Sequence, residues 1–369
     1  MTVQQLVSPL KENTYKAPVS KSESTPFLIK LLNWEYWSFG VIYTPIYFYW
    51  FYLCIRARSL FFFSAANPSI ENGGFLMERK SDIYKLMPQV YYPKTFLVEP
   101  GYSVTLIASL IRNALFNFPV IVKPDIGGKG RGVKKIDTIQ EAALYIHQCN
   151  FPMLVQEFVA YEMEAGIFYY RYPWKEKGNI SGIVAKEFLT VTGDGMATIE
   201  QLLLQNPRYV LQLGALQKMT EIDLKVILKS GEEKILVPFG NHARGAKFID
   251  AADKITPALE DTIDNICKQV PDFYYGRLDI KFTDWKDLNE GKNLSIIELN
   301  GAGSEPTHMY DPSHSLFFAW KEIIRHWKIL WRISTWNKKN ENNTYLSFKQ
   351  GIKMFKENKI VEKKLDTML

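Results

Sequence analysis

Only three cysteines, Cys54, Cys149 and Cys267, occur in 369 residues. They are odd in number, widely spaced and form no CxxC pair, which argues against a disulfide framework or a cysteine metal centre and points to a reducing compartment, the cytoplasm. No Walker-type GxxxxGK[ST] loop is present, and Gly128, Gly130 and Gly132 lack the third-glycine spacing of a dinucleotide fingerprint. A secretory leader is also missing: the first 26 residues are polar, and residues 1–33 read as a flexible arm. The uncharged run over residues 38–55 falls short of the ~20 apolar residues of a lone membrane span, is interrupted by Pro45 and is closed by Arg56 and Arg58. A basic stripe with interleaved aromatics is absent from the body, which argues against a nucleic-acid partner. Of the formal charge of +6, +4 sits in residues 337–369, where eight lysines face four acids, so the tail 336–369 reads as a solvated amphipathic helix. No internal repeat is present.

What the chain does contain is a sizeable apolar complement, 47% hydrophobic and 14% aromatic, enough for two or three domains of about 100–200 residues each. Residues 34–77 form an aromatic-rich helical segment in which Trp34, Trp37, Tyr43, Tyr47, Phe48, Tyr49, Trp50, Phe51, Tyr52, Phe61, Phe62 and Phe63 crowd together. Two readings stand. One is a buried helix pair packed on the body, favoured because exposed aromatic helices are rarer. The other is an interfacial element, residues 34–63, lying on the inner face of the membrane with its arginines at the headgroups. Residues 78–335 then alternate strand and helix patterns of an α+β body. Strands are expected over residues 118–124, 153–159, 164–172, 180–191, 234–237, 276–282 and 294–299. Helices are expected over 78–87, 138–148, 198–204, 257–270 and 313–331, with Thr138 and Glu141 as a capping pair.

Three constellations carry chemistry. Along the strand 276–282 side chains alternate, so Arg277, Asp279 and Lys281 share one face; on the next strand Glu298 and Asn300 do the same, with Leu278, Ile280, Ile297 and Leu299 turned to a core. Two carboxylates and an amide oxygen are hard ligands suited to Mg²⁺ bridging nucleotide phosphates, although a solvated hairpin face has the same pattern. Lys123 ends a strand and is followed by Gly127, Gly128, Lys129, Gly130, Arg131 and Gly132, where glycine lets backbone N–H groups approach phosphate; a flexible hairpin turn reads the same way. Glu157 ends a third strand, with Glu164 seven residues on, placed to serve the adenine amino group and ribose hydroxyls beside apolar walls.

In order, Lys80, Lys123 with its glycine loop, Gln156-Glu157-Phe158-Val159, Glu164, Lys186, Arg277-x-Asp279 and Glu298-x-Asn300 resemble the ATP-grasp superfamily, and look most like its D-alanine:D-alanine ligase-like carboxylate–amine ligases. Residues 192–200 and 241–246 look similar to segments of cyanophycin synthetase and bifunctional glutathione synthetase. The resemblance spans roughly residues 78–310. It implies two α+β subdomains sandwiching the nucleotide, with a lid over about residues 118–190. It also implies ATP held by Lys80, Lys123, Gly128, Lys129, Gln156, Glu157, Phe158, Val159, Glu164 and Lys186, and one or two Mg²⁺ ions held by Asp279, Glu298 and Asn300. Arg277 and Arg244 would neutralise charge on the transferred phosphoryl group.

The aromatic segment stands where such ligases carry a fuller N-terminal domain, so a D-alanine substrate is not implied. After Asn300, Glu305 would steer an ammonium-bearing acceptor, and His308 is placed to free its amine or, alternatively, to pack the turn. The expected reaction joins a small-molecule or peptide carboxylate to an amine through an acyl phosphate. A nucleotide-binding assembly protein at a membrane surface and a kinase are the competing readings. The sequence assigns no oligomeric state.

Overall fold

The computed structural model describes residues 26–368, apart from 129, 218–221, 238, 239 and 241–244. Pro26–Leu32 forms a short helix, α1, where the flexible arm was expected to continue. Phe39–Tyr43 forms α2 and Tyr47–Ala57 forms α3. Between them Pro45, which lacks an N–H, sits in the 3-10 turn Thr44–Ile46 and divides the uncharged run into two helices.

The inner face of this segment is core. Ile42, Tyr43 and Ile46 pack with Met309, Ala319 and Ile323, and Leu53, Cys54 and Ala57 pack with Ile329, Leu330 and Ile333 of the long helix Leu316–Asn340. Trp50 meets Trp327 edge-on, with ring centroids 5.1 Å apart. The outer face, with Phe48, Phe51, Tyr52 and Ile55, is exposed. The segment is therefore buried on one side and open on the other, and among the described residues no helix is long and apolar enough to cross a membrane.

After α4, Lys80–Leu86, the body is α+β, as its alternating pattern implies. Strands β1 (Thr95–Val98), β2 (Val120–Pro124), β3 (Lys134–Ile136) and β4 (Met153–Glu157) make an antiparallel sheet in the order β1-β4-β2-β3. The helices Val104–Asn113 and Ile139–Cys149 cover it through Ile107, Ile111, Ala142 and Ile146. The chain then crosses into a second sheet through β5 (Met163–Tyr170) and β6 (Asn179–Glu187), and makes a side hairpin of β7 (Leu189–Thr192) and β8 (Glu233–Val237). It returns through β9 (Lys247–Asp250), β10 (Tyr275–Phe282) and β11 (Leu294–Asn300). This sheet runs β11-β10-β5-β6-β9, again antiparallel.

Both faces of the second sheet are covered because β5 is apolar at successive positions. Ile167 and Tyr169 pack with Leu259, Ile263 and Ile266 of the helix Pro257–Lys268, while Phe168 between them belongs to the cluster under the long helix. The topology corrects two boundaries. The lid expected over 118–190 divides, since β5 and β6 hydrogen-bond into the sheet of β10 rather than that of β2. The strand expected over 180–191 breaks at Phe188, where the side hairpin begins.

The C-terminal helix Phe348–Asp366 is docked rather than fully solvated. Gly351 sits on the Phe61 ring, where a Cβ would come within 2.3 Å of it, and Leu365 is fully buried beneath the sheet of β1–β4.

One buried amide ties the aromatic segment to the second sheet. Asn67 Nδ2 donates to the carbonyls of Gly73 at 2.9 Å and Tyr275 at 2.8 Å, and its Oδ1 accepts from the N–H groups of Tyr274 and Tyr275. Replacing Asn67 by Ala strips these bonds from buried and half-buried backbone partners, and the expected cost is about 3 kcal/mol in urea unfolding. A loss below about 0.5 kcal/mol would show that the amide is not a staple.

Candidate active site

A cleft of about 190 Å³ lies where the two sheets face each other. β2 and the glycine loop contribute Ile121, Lys123, Gly127, Gly128, Gly130 and Arg131, and β4 with its exit contributes Gln156, Glu157, Phe158 and Val159. The second sheet contributes Glu164, Lys186, Asp279, Lys281 and Glu298, and α4 contributes Lys80. Residues from six separate stretches of sequence are thus brought together.

The centre of the site is a charge cluster. Asp279, on β10, is a register partner of Glu298 on β11 and of Gly166 on β5. Its carboxylate receives Arg277 at 2.9 Å, Lys186 at 3.0 Å and the Asn300 amide at 3.2 Å. Burial works against its ionisation, but the flanking Arg277 and Lys186 override burial and hold the carboxyl well below the usual carboxylate range. Lys186 also donates to Glu164 at 2.7 Å. Burial opposes its charge too, and Asp279 and Glu164 raise its pKa nonetheless. Lys80 pairs with Glu298 at 2.8 Å and donates to the Gly127 carbonyl at 2.6 Å, so it spans from β11 to the glycine loop. Glycine is required beside the cluster: a Cβ on Gly240 would lie 2.4 Å from Lys186 Cδ and 2.6 Å from Glu164 Oε1.

Lys123 differs from Lys80 and Lys186 because its hydrogen-bond partners are neutral. Its ammonium donates to Gln156 Oε1 at 2.8 Å, Tyr84 OH at 3.0 Å and the Ile297 carbonyl at 3.0 Å. Burial lowers its pKa to about 7, with Glu298 opposing and Lys80 reinforcing that shift.

Ile297, expected in the core, faces the cleft. A β-bulge pairs Asp279 with Glu298 but Ile280 with Ile296, so the alternation slips and Ile296 takes the core position.

Two residues that position the cleft lysines lay outside the sequence expectation. Tyr84 donates to the Ile297 carbonyl at 2.6 Å; it lies one helical turn after Lys80, a spacing that marks a shared face. Asp125, fully buried, accepts from Ser81 N–H at 2.7 Å and from Arg79 at 2.6 Å, which fixes the start of α4 and hence Lys80. Its position directly after Lys123-Pro124 was the only signal.

The glycine loop is tethered. A Cβ on Gly127, at φ +118°, would come within 2.4 Å of Leu365 Cδ1, and Arg131 pairs with Glu362 at 2.9 Å and Asp366 at 3.0 Å. Lys129 and Arg244 lie outside the described residues.

At the far end of the cluster, Glu305 accepts from Tyr43 of α2 at 2.6 Å and from Tyr310 at 3.3 Å. His308 is not brought to the cleft. It is 5% exposed, packs on Gly182 and bonds Glu322 at 3.1 Å. The Glu322 carboxyl is disfavoured by burial yet held down to about 2 by His308 and Arg325.

Among the described residues no group of three or more His, Cys, Asp or Glu forms a metal cage. Asp279 and Glu298, with the Asn300 amide, are a two-carboxylate oxygen set. This fits Mg²⁺, which keeps several waters or phosphate oxygens and needs only one or two protein carboxylates.

No family model matches the chain, and no curated protein matches it. Solved structures align with it at low sequence identity. A bifunctional glutathione synthetase from Pasteurella multocida aligns at 14% identity and TM-score 0.37, covering 66% of this chain and 35% of that one. The VanG D-Ala:D-Ser ligase from Enterococcus faecalis aligns at 14% and 0.38, covering 69% and 61%. A D-alanine–D-alanine ligase from Bacillus anthracis aligns at 12% and 0.38, covering 72% and 69%. The chain thus spans about a third of the first protein and less than two thirds of the second.

Removing Lys186 leaves Asp279 and Glu164 buried with one cation fewer. For Lys186→Met we expect a loss of about 3 kcal/mol at pH 7. The carboxyl of Asp279 is depressed in the folded protein, so the stability it contributes is present above its unfolded value and is lost as pH falls. The gap between variant and wild type therefore narrows on acidification in denaturant titrations at several pH values, and a gap that widens would refute this assignment.

Proposed function

We propose that the chain is an ATP-dependent carboxylate–amine ligase of the ATP-grasp type, acting in the cytoplasm. The observation that supports this most is the meeting of Lys80, Lys123, Lys186 and Arg277 with the Asp279–Glu298 pair in one cleft between two sheets. Four cations suit a polyphosphate, and two adjacent carboxylates suit the ion that bridges it.

In this reading Lys80 and Lys123 take the α- and β-phosphates and Lys186 reaches the phosphates from β6. The adenine lies between Ile121, Val133 and Ile297, with Glu157, Phe158 and Val159 at its edge and Glu164 serving the ribose. Gln156 orients Lys123, and Gly128 lines the phosphate loop. Asp279, Glu298 and Asn300 would hold Mg²⁺, which when bound screens phosphate charge and polarises the transferred group. Arg277, joined by Arg244, neutralises charge developing on that group.

The substrate carboxylate attacks the γ-phosphorus, the bond to the β-phosphate oxygen breaks and ADP leaves. The amine then attacks the acyl carbon and displaces phosphate, leaving an amide and a proton. Glu305, aligned by Tyr43 and Tyr310, steers the ammonium of the acceptor. His308 supports this end of the site through Glu322 and is no longer assigned as the base.

The direct test incubates the protein with ATP, Mg²⁺ and a panel of amino acids and short carboxylates, scoring ADP and amide mass together. Amide formed in step with ADP is expected, and Glu298→Gln should lower Mg²⁺-dependent turnover at least ~100-fold while keeping the wild-type circular dichroism spectrum at the assay temperature. A phosphorylated end product without amide would replace the ligase by a kinase.

Lys123 gives an independent readout. Its free ammonium titrates near pH 7 because of burial, and a bound polyphosphate favours its charged form. Binding of ATP therefore takes up a proton at and above pH 7, and affinity weakens as pH rises through that range. Calorimetry in two buffers of different ionisation enthalpy measures the uptake, which should vanish in Lys123→Met.

A further inference from the structure

The outer face of α3 has no role in the cleft. Phe48, Phe51, Tyr52 and Ile55 recur at helical spacing and are 71, 55, 47 and 76% exposed. A contiguous exposed aromatic face of this kind marks an interaction surface. Its charge is one-sided: the sequence holds no Asp or Glu between Glu35 and Glu71, and the only charged residues in that interval are Arg56 and Arg58. Arg56 donates to Tyr52 OH at 2.8 Å and lies over the Trp331 ring at 5.2 Å, which sets the cation beside the aromatic face.

Where α3 ends, a second cavity of about 390 Å³ opens, lined by Arg58, Ser59, Leu60, Lys338, Thr344 and Ser347 among others. Neither Arg58 nor Lys338 pairs with a carboxylate among the described residues. Lys338 lies over the Tyr345 ring at 4.3 Å, and Leu60, 47% exposed, forms the rim. An apolar face and a cavity with two uncompensated cations therefore adjoin.

We propose that this face docks on an anionic phospholipid bilayer, with the aromatic side chains of α3 at headgroup depth and a lipid phosphate seated between Arg58 and Lys338. The length of α3, 11 residues, is about 16 Å of helix, half of a ~30 Å hydrocarbon layer, so it lies on the surface and does not span it. Aromatic side chains with basic neighbours are the composition that settles at a membrane interface. A twofold contact with a second copy would instead bring Arg56 and Arg58 against like charges with no acid on the face to meet them. The same segment carries Tyr43, which holds Glu305, so the docked face and that end of the cleft belong to one packed unit.

The test is sedimentation of the full-length protein with vesicles of phosphatidylcholine alone and with phosphatidylglycerol added, without nucleotide. Binding only to the anionic vesicles is expected. The triple variant Phe48→Ser, Phe51→Ser, Ile55→Ser should lose more than about tenfold in affinity, and Arg58→Gln and Lys338→Gln about fivefold each, all with unchanged melting. Failure of wild type to bind either vesicle overturns the proposal. So does binding that survives the triple variant, or a concentration-dependent dimer that the triple variant abolishes, which would make the face a protein contact. Because lipid binding is read without turnover, any of these outcomes leaves the ligase reading to its own test.

Discussion

The carboxylate of Asp279, 3% exposed in the middle of the second sheet, is the constraint on which the rest depends. An isolated charge there would cost several kcal/mol, so the fold must deliver cations to it. Arg277 comes from the same strand two residues earlier, but Lys186 comes from β6, two strands away, and reaches Asp279 across β5. That crossing needs Gly166 on β5, where a Cβ would meet Val184 at 2.9 Å and Asp279 Oδ1 at 3.1 Å. Register, glycine and charge are therefore one requirement: a one-residue slip would turn Asp279 into the core and Leu278 into the cleft.

The same balance organises the cleft. Lys80 and Glu298 satisfy each other, and Glu164 shares Lys186 with Asp279, so every carboxylate at the centre already has a cation. Lys123 is ringed by neutral acceptors, and burial lowers its proton affinity toward neutrality. Under the proposed function, a polyphosphate entering here would replace internal ion pairs with its own and give Lys123 the counter-charge that the protein withholds.

Two elements outside the sheets restrain this arrangement. The aromatic segment wedges against the long helix and supplies Tyr43 to Glu305, giving the α+β body a wall that arises from an earlier stretch of chain. The C-terminal helix binds Phe61 at one end and the glycine loop at the other, through Leu365, Glu362 and Asp366. Movement of that loop therefore requires the helix end to move with it or to release Arg131, which links the dynamics of the cleft to the last turn of the chain.

Features that repeat locally were legible in the order of residues. Strand alternation placed Arg277, Asp279 and Lys281 on one polar face, and the capping pair Thr138 and Glu141 marked the start of the helix Ile139–Cys149. Tertiary structure decided what depends on partners far along the chain. A bulge set opposite Asp279 turned Ile297 into the cleft, and sheet pairing took β5 and β6 from the expected lid. His308 went to Glu322 on the long helix, and the lysine-rich tail was drawn onto the glycine loop by one leucine and two acids. These outcomes rest on contacts between residues tens to hundreds of positions apart, whose energies no local periodicity encodes.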